Sequence, residues 1–321
     1  MSYIMVLLFL CFAAGASAEN RNDPSQLMSP KEALREQLIT LEITPGASCI
    51  STSCHDNLTK KKFIHSIGVD GMKCDRCHEL ADQKKHRFKK IPEVTRDLCQ
   101  QCHSTKILAP TGLKNTPPKV ISIEKAKELH TPFAEGKCTV CHDAHSSNYH
   151  KHLKLAYPEG IYASYNISSY TLCLSCHKKL DEVMTEPRTL TLTMFRNGNV
   201  NQHFRHVNKV KGRTCSVCHH PHGLEQPGLI KDTFRFGNRM LTVDFEKTDS
   251  GGKCTTTCHR EAKYDRYKPE QNFIKTEPLP GEDASEDELE DSRKLDMKKL
   301  KEKEKTKGEK DLIPGNQQEE Q

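Results

Sequence analysis

Seven short cysteine pairs, each followed at once by a histidine, carry the chemistry that this sequence indicates. Two residues separate the cysteines in five of the pairs, three residues in one and four in another. The pairs are Cys49/Cys54, Cys74/Cys77, Cys99/Cys102, Cys138/Cys141, Cys173/Cys176, Cys215/Cys218 and Cys254/Cys258. The histidines that follow them are His55, His78, His103, His142, His177, His219 and His259. Two thiols at a short fixed spacing can form thioethers with the two vinyl groups of a porphyrin, and the next imidazole can then ligate its iron.

The C-x-x-C-H spacing is that of covalent c-type haem attachment. Zinc binding and disulfide bonding are the alternatives, because a C-x-x-C pair on its own suits either. Histidine makes up 17 of the 321 residues, so its chance occurrence after all seven pairs is on the order of one in a billion. A zinc site does not require a histidine at that position. We therefore predict seven covalent haems c, with the seven histidines as proximal iron ligands.

The remaining histidines are enough to give every iron a second imidazole. We predict seven of them as distal ligands: His65, His86, His130, His145, His203, His206 and His222. The other three are possible replacements: His150, His152 and His220. Two imidazoles fill both axial positions, which blocks substrate entry and favours electron transfer at a lower potential than methionine ligation gives. No catalytic residue is predicted.

The sites are arranged in repeats, each with a leading histidine, a first site and a second site. A single site at 49–55 stands in front of them. The three repeats are 65–103, 130–177 and 206–259. A glycine precedes the first cysteine pair of each repeat, where a tight turn would bring the leading histidine back towards the haems. These glycines are Gly71, Gly136 and Gly212.

Composition predicts that the cofactors form much of the core. Apolar residues make up 35% of the chain, aromatic residues 6%, and tryptophan is absent, so the side chains alone offer little surface to bury. The attachment region leaves roughly 30 residues per haem. We expect mostly short α-helices and irregular loops wrapped around a packed haem chain, with little β-structure. Each haem site should begin a short helix, and the connectors 146–171 and 221–253 should be loops.

The N-terminal sequence predicts export. Residues 1–18 are an apolar run that ends in small residues, as in a secretory signal peptide whose cleavage would remove Cys11. The run is shorter than a bilayer span, and no later segment of the mature chain is predicted to cross a membrane. Residues 19–48 form an N-terminal helix and linker, in which Ser29 and Glu32 make a capping box. The haem domain, 49–267, follows.

The C-terminal segment, 268–321, differs from the haem domain in its charge. It carries 11 Lys and Arg against 16 Asp and Glu, with an acidic run at 281–291 and a basic run at 292–310. These features predict a charged, disordered or loosely helical tail. The whole chain has a net charge of +6. Haem propionates would offset the positive charge of the body, so we predict no nucleic-acid binding.

The string H-T-P-F-x-x-G-x-C-x-x-C-H-x-x-H at 130–145 and its echo at 206–222 resemble the doubled C-x-x-C-H family of multihaem cytochromes c. The resemblance covers residues 49–259. It implies covalent haems packed in close contact, bis-histidine irons and electron transfer outside the cytoplasm. It also implies redox partner proteins, such as other cytochromes or quinol-linked oxidoreductases, or an extracellular acceptor.

The resulting prediction is an electron carrier, not an enzyme, that works in a periplasm, on an outer membrane or outside the cell. One alternative is a multihaem oxidoreductase of the nitrite or hydroxylamine type, which needs one open haem site. Nitrite reductases use an attachment motif that ends in lysine, and none of the seven sites here does. The other alternative is a structural cytochrome that forms filaments.

Overall fold

The structure is a computed structural model that describes residues 29–32, 34, 36, 42, 49–50, 55–65, 74–82, 84–105, 116–121, 125–224, 229–272 and 278–311. The predicted signal peptide, Cys11, Cys54 and Gly71 lie outside these residues. The chain divides into two compact units. The first comprises Met1–Ala47 and His78–Lys90, and the second comprises Ser48–Cys77 and Ile91–Gln321.

The described part of the first unit contains the predicted capping box. The Ser29 hydroxyl donates to the Glu32 carboxylate (2.7 Å), and the Glu32 backbone N–H donates back to that hydroxyl (3.3 Å). Pro30 is the first helical residue, where its missing N–H costs no hydrogen bond. Two isolated antiparallel bridges join Glu42 to Lys85 and Leu80 to Phe88.

The described part of the second unit has six short α-helices, one α-helix of 26 residues and ten strands. The helices are α1 (Arg96–His103), α2 (Thr131–Ala134), α3 (Thr171–Leu174), α4 (Leu180–Thr185), α5 (Gln202–Val207), α6 (Cys215–Cys218) and α7 (Glu286–Asp311). The strands are β1 (Phe63–Ile64), β2 (Glu128–Leu129), β3 (Ser146–Ser147), β4 (Arg196–Asn197), β5 (Val200–Asn201), β6 (Gly223–Leu224), β7 (Thr233–Phe236), β8 (Arg239–Lys247), β9 (Gly251–Thr256) and β10 (His259–Asp265).

The last four strands form one antiparallel sheet in the order β10-β9-β8-β7. This sheet shows that the predicted fold of mostly short helices and loops with little β-structure is wrong, as is the loop predicted over 221–253. Leu241, Val243 and Phe245 alternate with polar residues, which is the period of a half-buried strand. Val243 and Phe234 are buried with Val217 of α6 in one apolar cluster. Gly223, Gly251 and Gly252, which suggested a loop, lie within strands β6 and β9.

Two small ladders repeat the same arrangement at different places in the chain. Strand β1 pairs antiparallel with β3, and β2 pairs antiparallel with β6. A leading histidine follows the first strand of each ladder, and a predicted distal histidine precedes the second. The backbone N–H of His65 donates to the carbonyl of His145 (2.8 Å), and that of His130 donates to the carbonyl of His222 (3.2 Å). The ladders therefore bring histidines of successive repeats together.

The polypeptide core of the described residues consists of two small clusters. Val183, Met184 and Val207 form one, between α4 and α5. The other, around Val217, Phe234 and Val243, includes the side chains of Cys218 and Cys254 at its edge. Clusters of three buried residues bury little apolar surface for a domain of this length, as expected if bound cofactors supply much of the core.

The C-terminal segment contains the long helix α7. Helix α7 begins after a second capping box, in which Ser285 and Glu288 exchange hydrogen bonds of 3.0 Å and 3.3 Å. Leu289 in its first turn is only 4% exposed, whereas Leu300 further along is 54% exposed. The S-x-x-E pattern at 285–288 was therefore the helix signal in this part of the sequence. Among the described residues, none of the helices is long and apolar enough to cross a membrane.

Candidate haem sites

The regular attachment motifs lie on short helical turns, as predicted. Two of the motifs begin on 3-10 turns, at Cys74–Arg76 and Cys138–Val140. The other three begin on α1, α3 and α6. In three motifs the histidine N–H donates to the carbonyl of the first cysteine: His142 to Cys138 (3.1 Å), His177 to Cys173 (3.0 Å) and His219 to Cys215 (2.8 Å). This single turn places both thiols and the imidazole close together.

The last motif departs from the prediction that every site begins a helix. Cys254 lies on β9, Cys258 lies in the turn and His259 begins β10. The three residues between the cysteines are threonines, whose branched side chains favour strands over helices. The wider spacing of this site is therefore part of a β-hairpin.

Four of the motif histidines lie beside a predicted distal histidine. The ring centroids are 6.2 Å apart for His65–His103, 5.9 Å for His130–His177, 6.0 Å for His142–His222 and 6.5 Å for His203–His219. A metal–imidazole bond is about 2 Å long and the ring centre lies about 1 Å further out, so two imidazoles on opposite sides of one metal have centroids about 6 Å apart. The four distances fit two axial imidazoles on an iron. Structural zinc takes four protein ligands, and among the described residues no three His, Cys, Asp or Glu side chains are grouped so that they could hold a metal ion.

Hydrogen bonds at Nδ1 leave Nε2 available for a metal. The Nδ1 of His103 donates to the carbonyl of Pro118 (2.8 Å) and that of His142 to Lys151 (2.9 Å). A carbonyl only accepts, so the proton is on Nδ1 and the lone pair is on Nε2. The same holds for His206, whose Nδ1 donates to the carbonyl of Gln202 (2.6 Å), and for His259 with that of Arg260 (2.6 Å).

Burial keeps several predicted distal histidines neutral. Burial, followed by the nearby His152, His103 and His145, lowers the pKa of His65 to about 4. Burial and then His219 and His206 lower the pKa of His203 to about 4. Burial and then neighbouring histidines also lower the pKa of His222 to about 4. Neutral imidazole is the form that ligates metal, so these side chains are ready to do so at neutral pH.

The structure places the other predicted ligands less closely. Burial and, to a smaller extent, the nearby His259 lower the pKa of His206. His259 belongs to the second site of repeat 3, so this site lies near His206, the leading histidine of the same repeat. Within the first unit, His78 and His86 both pack edge-on against Phe88, at 6.0 Å and 4.9 Å between centroids. His145 lies 3.9 Å from the Asp143 carboxylate, and His55 adopts a left-handed backbone conformation with φ 50°.

The three replacement histidines contact other rings. His152 packs edge-on against His65, with 5.4 Å between centroids. His220 lies 5.4 Å from His222, and His150 packs against Tyr157 at 6.5 Å. Each is therefore next to the predicted sites or at their edge.

Each two consecutive attachment sites have a pair of thiols that lie close together in space. A hydrogen bond between Cys99 and Cys138 is the main cause that raises the pKa of Cys99 and lowers that of Cys138 to about 6. Burial and then the Cys215 thiol raise the pKa of Cys173 to about 12. The other neighbouring pairs of consecutive sites are Cys49 and Cys74, Cys77 and Cys102, Cys141 and Cys176, and Cys218 and Cys254. The sites thus follow one another in space in their sequence order.

Two family models match parts of the chain. The doubled CXXCH motif matches residues 130–182, and cytochrome c3 matches residues 64–154. The resemblance to multihaem c-type cytochromes is confirmed. These matches support covalently bound haem c and electron transfer by the segment they cover. Comparison with curated proteins and with solved structures gives no match.

One attachment motif opens onto a cleft. The cleft has a volume of about 460 Å³ and is lined by Cys176, His177, Lys178, Lys179, Leu180 and Val183. Leu180 and Val183 offer apolar surface for a porphyrin, and the two lysines can pair with its propionates. The donor set and the lining therefore fit haem c at this site.

Sequence reasoning missed two residues that contact the predicted distal histidines. The Phe195 ring lies 5.2 Å from His203 and 5.8 Å from His206. The Thr193 hydroxyl is 3.0 Å from Nδ1 of His203. Neither residue has a motif that marks it.

Proposed function

We propose that this chain is an exported electron carrier with seven covalent haems c, each held between two imidazoles. The observation that carries the proposal is the set of four ring pairs with centroids about 6 Å apart. Each pair combines one motif histidine with one histidine from elsewhere in the chain. Haem supplies a one-electron redox centre when it is bound, and a second imidazole leaves no open position for a substrate.

From these pairs we infer the ligands of four sites. His65 joins the site of His103, His130 that of His177, His222 that of His142 and His203 that of His219. His206 is the ligand that we assign to the site of His259. The ligands assigned to the two remaining sites are His86 and His145. Three of these assignments join the leading histidine of a repeat to its second site.

The neighbouring thiols favour a single path of electrons in sequence order. Each of the six junctions between consecutive sites brings one thiol of each site into electrostatic range. A linear order leaves the first and last sites as the ends of the path. We infer that a redox partner protein, such as another cytochrome or a quinol-linked oxidoreductase, meets one end, and a second partner or an extracellular acceptor meets the other. The protein would act in a periplasm, on an outer membrane or outside the cell.

A spectroscopic titration with carbon monoxide tests the proposal. The oxidised protein should show low-spin bis-imidazole signals from all its haems in electron paramagnetic resonance. The reduced protein should bind little carbon monoxide, because both axial positions of each iron are filled. Binding of about one carbon monoxide per chain would instead identify an open site and favour the reductase alternative.

A further inference from the structure

A buried arginine joins the first turns of the C-terminal helix α7 to the rest of the second unit. Arg196 on β4 is 0% exposed. Its guanidinium donates to the carbonyls of Gly198 (2.7 Å) and Arg266 (2.8 Å) and to the Ser292 hydroxyl on α7 (2.8 Å). The Asp296 carboxylate of α7 lies 3.5 Å away. A buried charge is stable only when it is paired and hydrogen-bonded, so α7 completes the environment that Arg196 requires.

Further contacts attach the same part of α7 to the body. The Tyr267 hydroxyl donates to Asp296 (3.0 Å), and the Ser292 hydroxyl donates to the carbonyl of Leu190 (3.2 Å). Ahead of the helix, the Arg188 guanidinium donates to the carbonyl of Pro280 (2.9 Å) and pairs with Asp283. These contacts all lie in 280–296. Beyond them, Met297 is 50% exposed, which separates α7 into an anchored first part and an exposed second part.

The β4–β5 hairpin, which contacts α7 through Arg196, leads directly into α5, the helix that carries two of the proposed iron ligands. Strands β4 and β5 are followed at once by α5, which carries His203 and His206. Asn201, fully buried at the end of β5, caps this helix by accepting hydrogen bonds from the N–H groups of His203 (3.0 Å) and Phe204 (3.3 Å). Its amide also donates to the carbonyl of Val183 (2.8 Å). The position of the hairpin therefore sets where α5 begins.

Ring packing extends the connection to the imidazoles. Phe195, directly before Arg196, contacts His203 and His206 on one side. On the other side its ring lies 5.0 Å from that of Tyr264 on β10, the strand that begins at His259. Displacing Arg196 would move Phe195, because the two residues share a peptide bond.

We propose that the first part of α7 is a clamp that fixes the orientation of His203 and His206 and so sets the reduction potentials of the last two haem sites. This inference rests on the proposed function. Arg196 is the positioning residue, and Ser292 and Asp296 are its partners on the clamp. Imidazole orientation and hydrogen bonding tune an iron ligand, so release of the clamp should alter these two sites and leave the other five unchanged.

Two truncations of the full haem-loaded chain test the clamp. Deletion of 281–321 removes the anchored part of α7. Deletion of 298–321 removes only exposed helix and later residues, and is the matched control. Potentiometric titration followed by electron paramagnetic resonance should show two haems whose reduction equilibrium shifts about tenfold, which is about 59 mV for one electron, in the first truncation and none in the second. Equal potentials in both truncations, or equal shifts in all seven haems, would overturn the proposal.

Point variants guard against a truncation that fails to fold. Ser292→Ala removes one hydrogen bond to Arg196, and Asp291→Asn alters an exposed neighbour on the same helix. Ser292→Ala should shift the same two potentials in the same direction by a smaller factor, and Asp291→Asn should shift none.

Hydrogen exchange of 195–207 separates failure of the clamp from failure of the proposed function. Ser292→Ala and the deletion of 281–321 should each raise the exchange rate of 195–207 about tenfold, whether or not haem is present. Unchanged exchange would refute the clamp. A protein without haem in which exchange still rises would refute only the proposed function.

Discussion

The imidazole of His130 lies beside that of His177, with ring centroids 5.9 Å apart and an angle of 22° between the planes. His130 leads the second repeat and His177 belongs to its second site. The same relation joins His65 to His103 in the first repeat. In each case the leading histidine reaches the second site of its own repeat.

Replacement of His130 should open one haem. In His130→Ala, about one seventh of the haem should become high-spin and bind carbon monoxide, since the site of His177 loses its second imidazole. Optical and electron paramagnetic resonance spectra of the purified protein measure the fraction. His150→Ala is the control, because the His150 ring packs on Tyr157, and it should remain fully low-spin. A wholly low-spin His130→Ala protein would contradict the ligand assignment.

The Thr193 hydroxyl should tune one haem potential. It lies 3.0 Å from Nδ1 of His203, and a hydrogen bond there makes the imidazole a stronger electron donor to iron. A hydrogen bond contributes about 1 kcal/mol, so Thr193→Val should raise one midpoint potential by about 40 mV. Redox titration measures the shift. Thr191→Val, on the exposed side of the same segment, should shift no potential, and a lowered potential in Thr193→Val would contradict the argument.

The site of His203 should resist acid. Burial, followed by His219 and His206, lowers its pKa from 6.5 to about 4. The unfolded chain therefore binds more protons than the folded chain between these values, so the stabilisation is present above pH 6.5 and is lost as the pH falls through about 4. We expect the low-spin spectrum of this haem to persist from pH 7 to about pH 4 and to fail below it. Conversion to high-spin haem near pH 6 in an optical pH titration would oppose this expectation.

Gly212 should be intolerant of a side chain. A Cβ at this position would collide with the carbonyl oxygen of Val207 and lie 3.0 Å from that of Ala163. Gly212→Ala should therefore lower the free energy of unfolding by at least about 2 kcal/mol. Gly237→Ala is the control, because its Cβ would meet nothing within 4 Å and costs only about 1 kcal/mol for its φ of +58°. Denaturant unfolding followed by the haem spectrum compares the two variants, and equal midpoints would refute the close approach.

Local pattern predicted the helical turns of the five regular attachment motifs and the turn at Gly136 but not the sheet. Gly136 adopts a φ of +72°, as the predicted turn requires. The sheet was missed because the glycines and prolines of 221–253 outweighed the alternation of Leu241, Val243 and Phe245. Val243 is buried against Val217 of a distant segment. A segment that alternates apolar and polar residues forms a stable strand only when its apolar face packs against an apolar surface from elsewhere in the chain.

The sequence predicted which histidines lead the repeats but not which site each of them reaches. Repetition along the sequence identified His65, His130 and His206 as equivalent. Which site each one reaches depends on the ladders β1–β3 and β2–β6, whose strands of two residues are too short to recognise in a sequence. Arg196 was not predicted because its role depends on a helix about 100 residues later, and its charge alone favours the surface.

The intact mass of the mature protein, made in cells competent for cytochrome maturation, is the most direct measurement of the central claim. Our account predicts the processed polypeptide plus seven haem groups, with a pyridine haemochrome spectrum that reports two thioether bonds at each. A mass equal to that of the bare polypeptide, or one raised only by bound zinc, would contradict it.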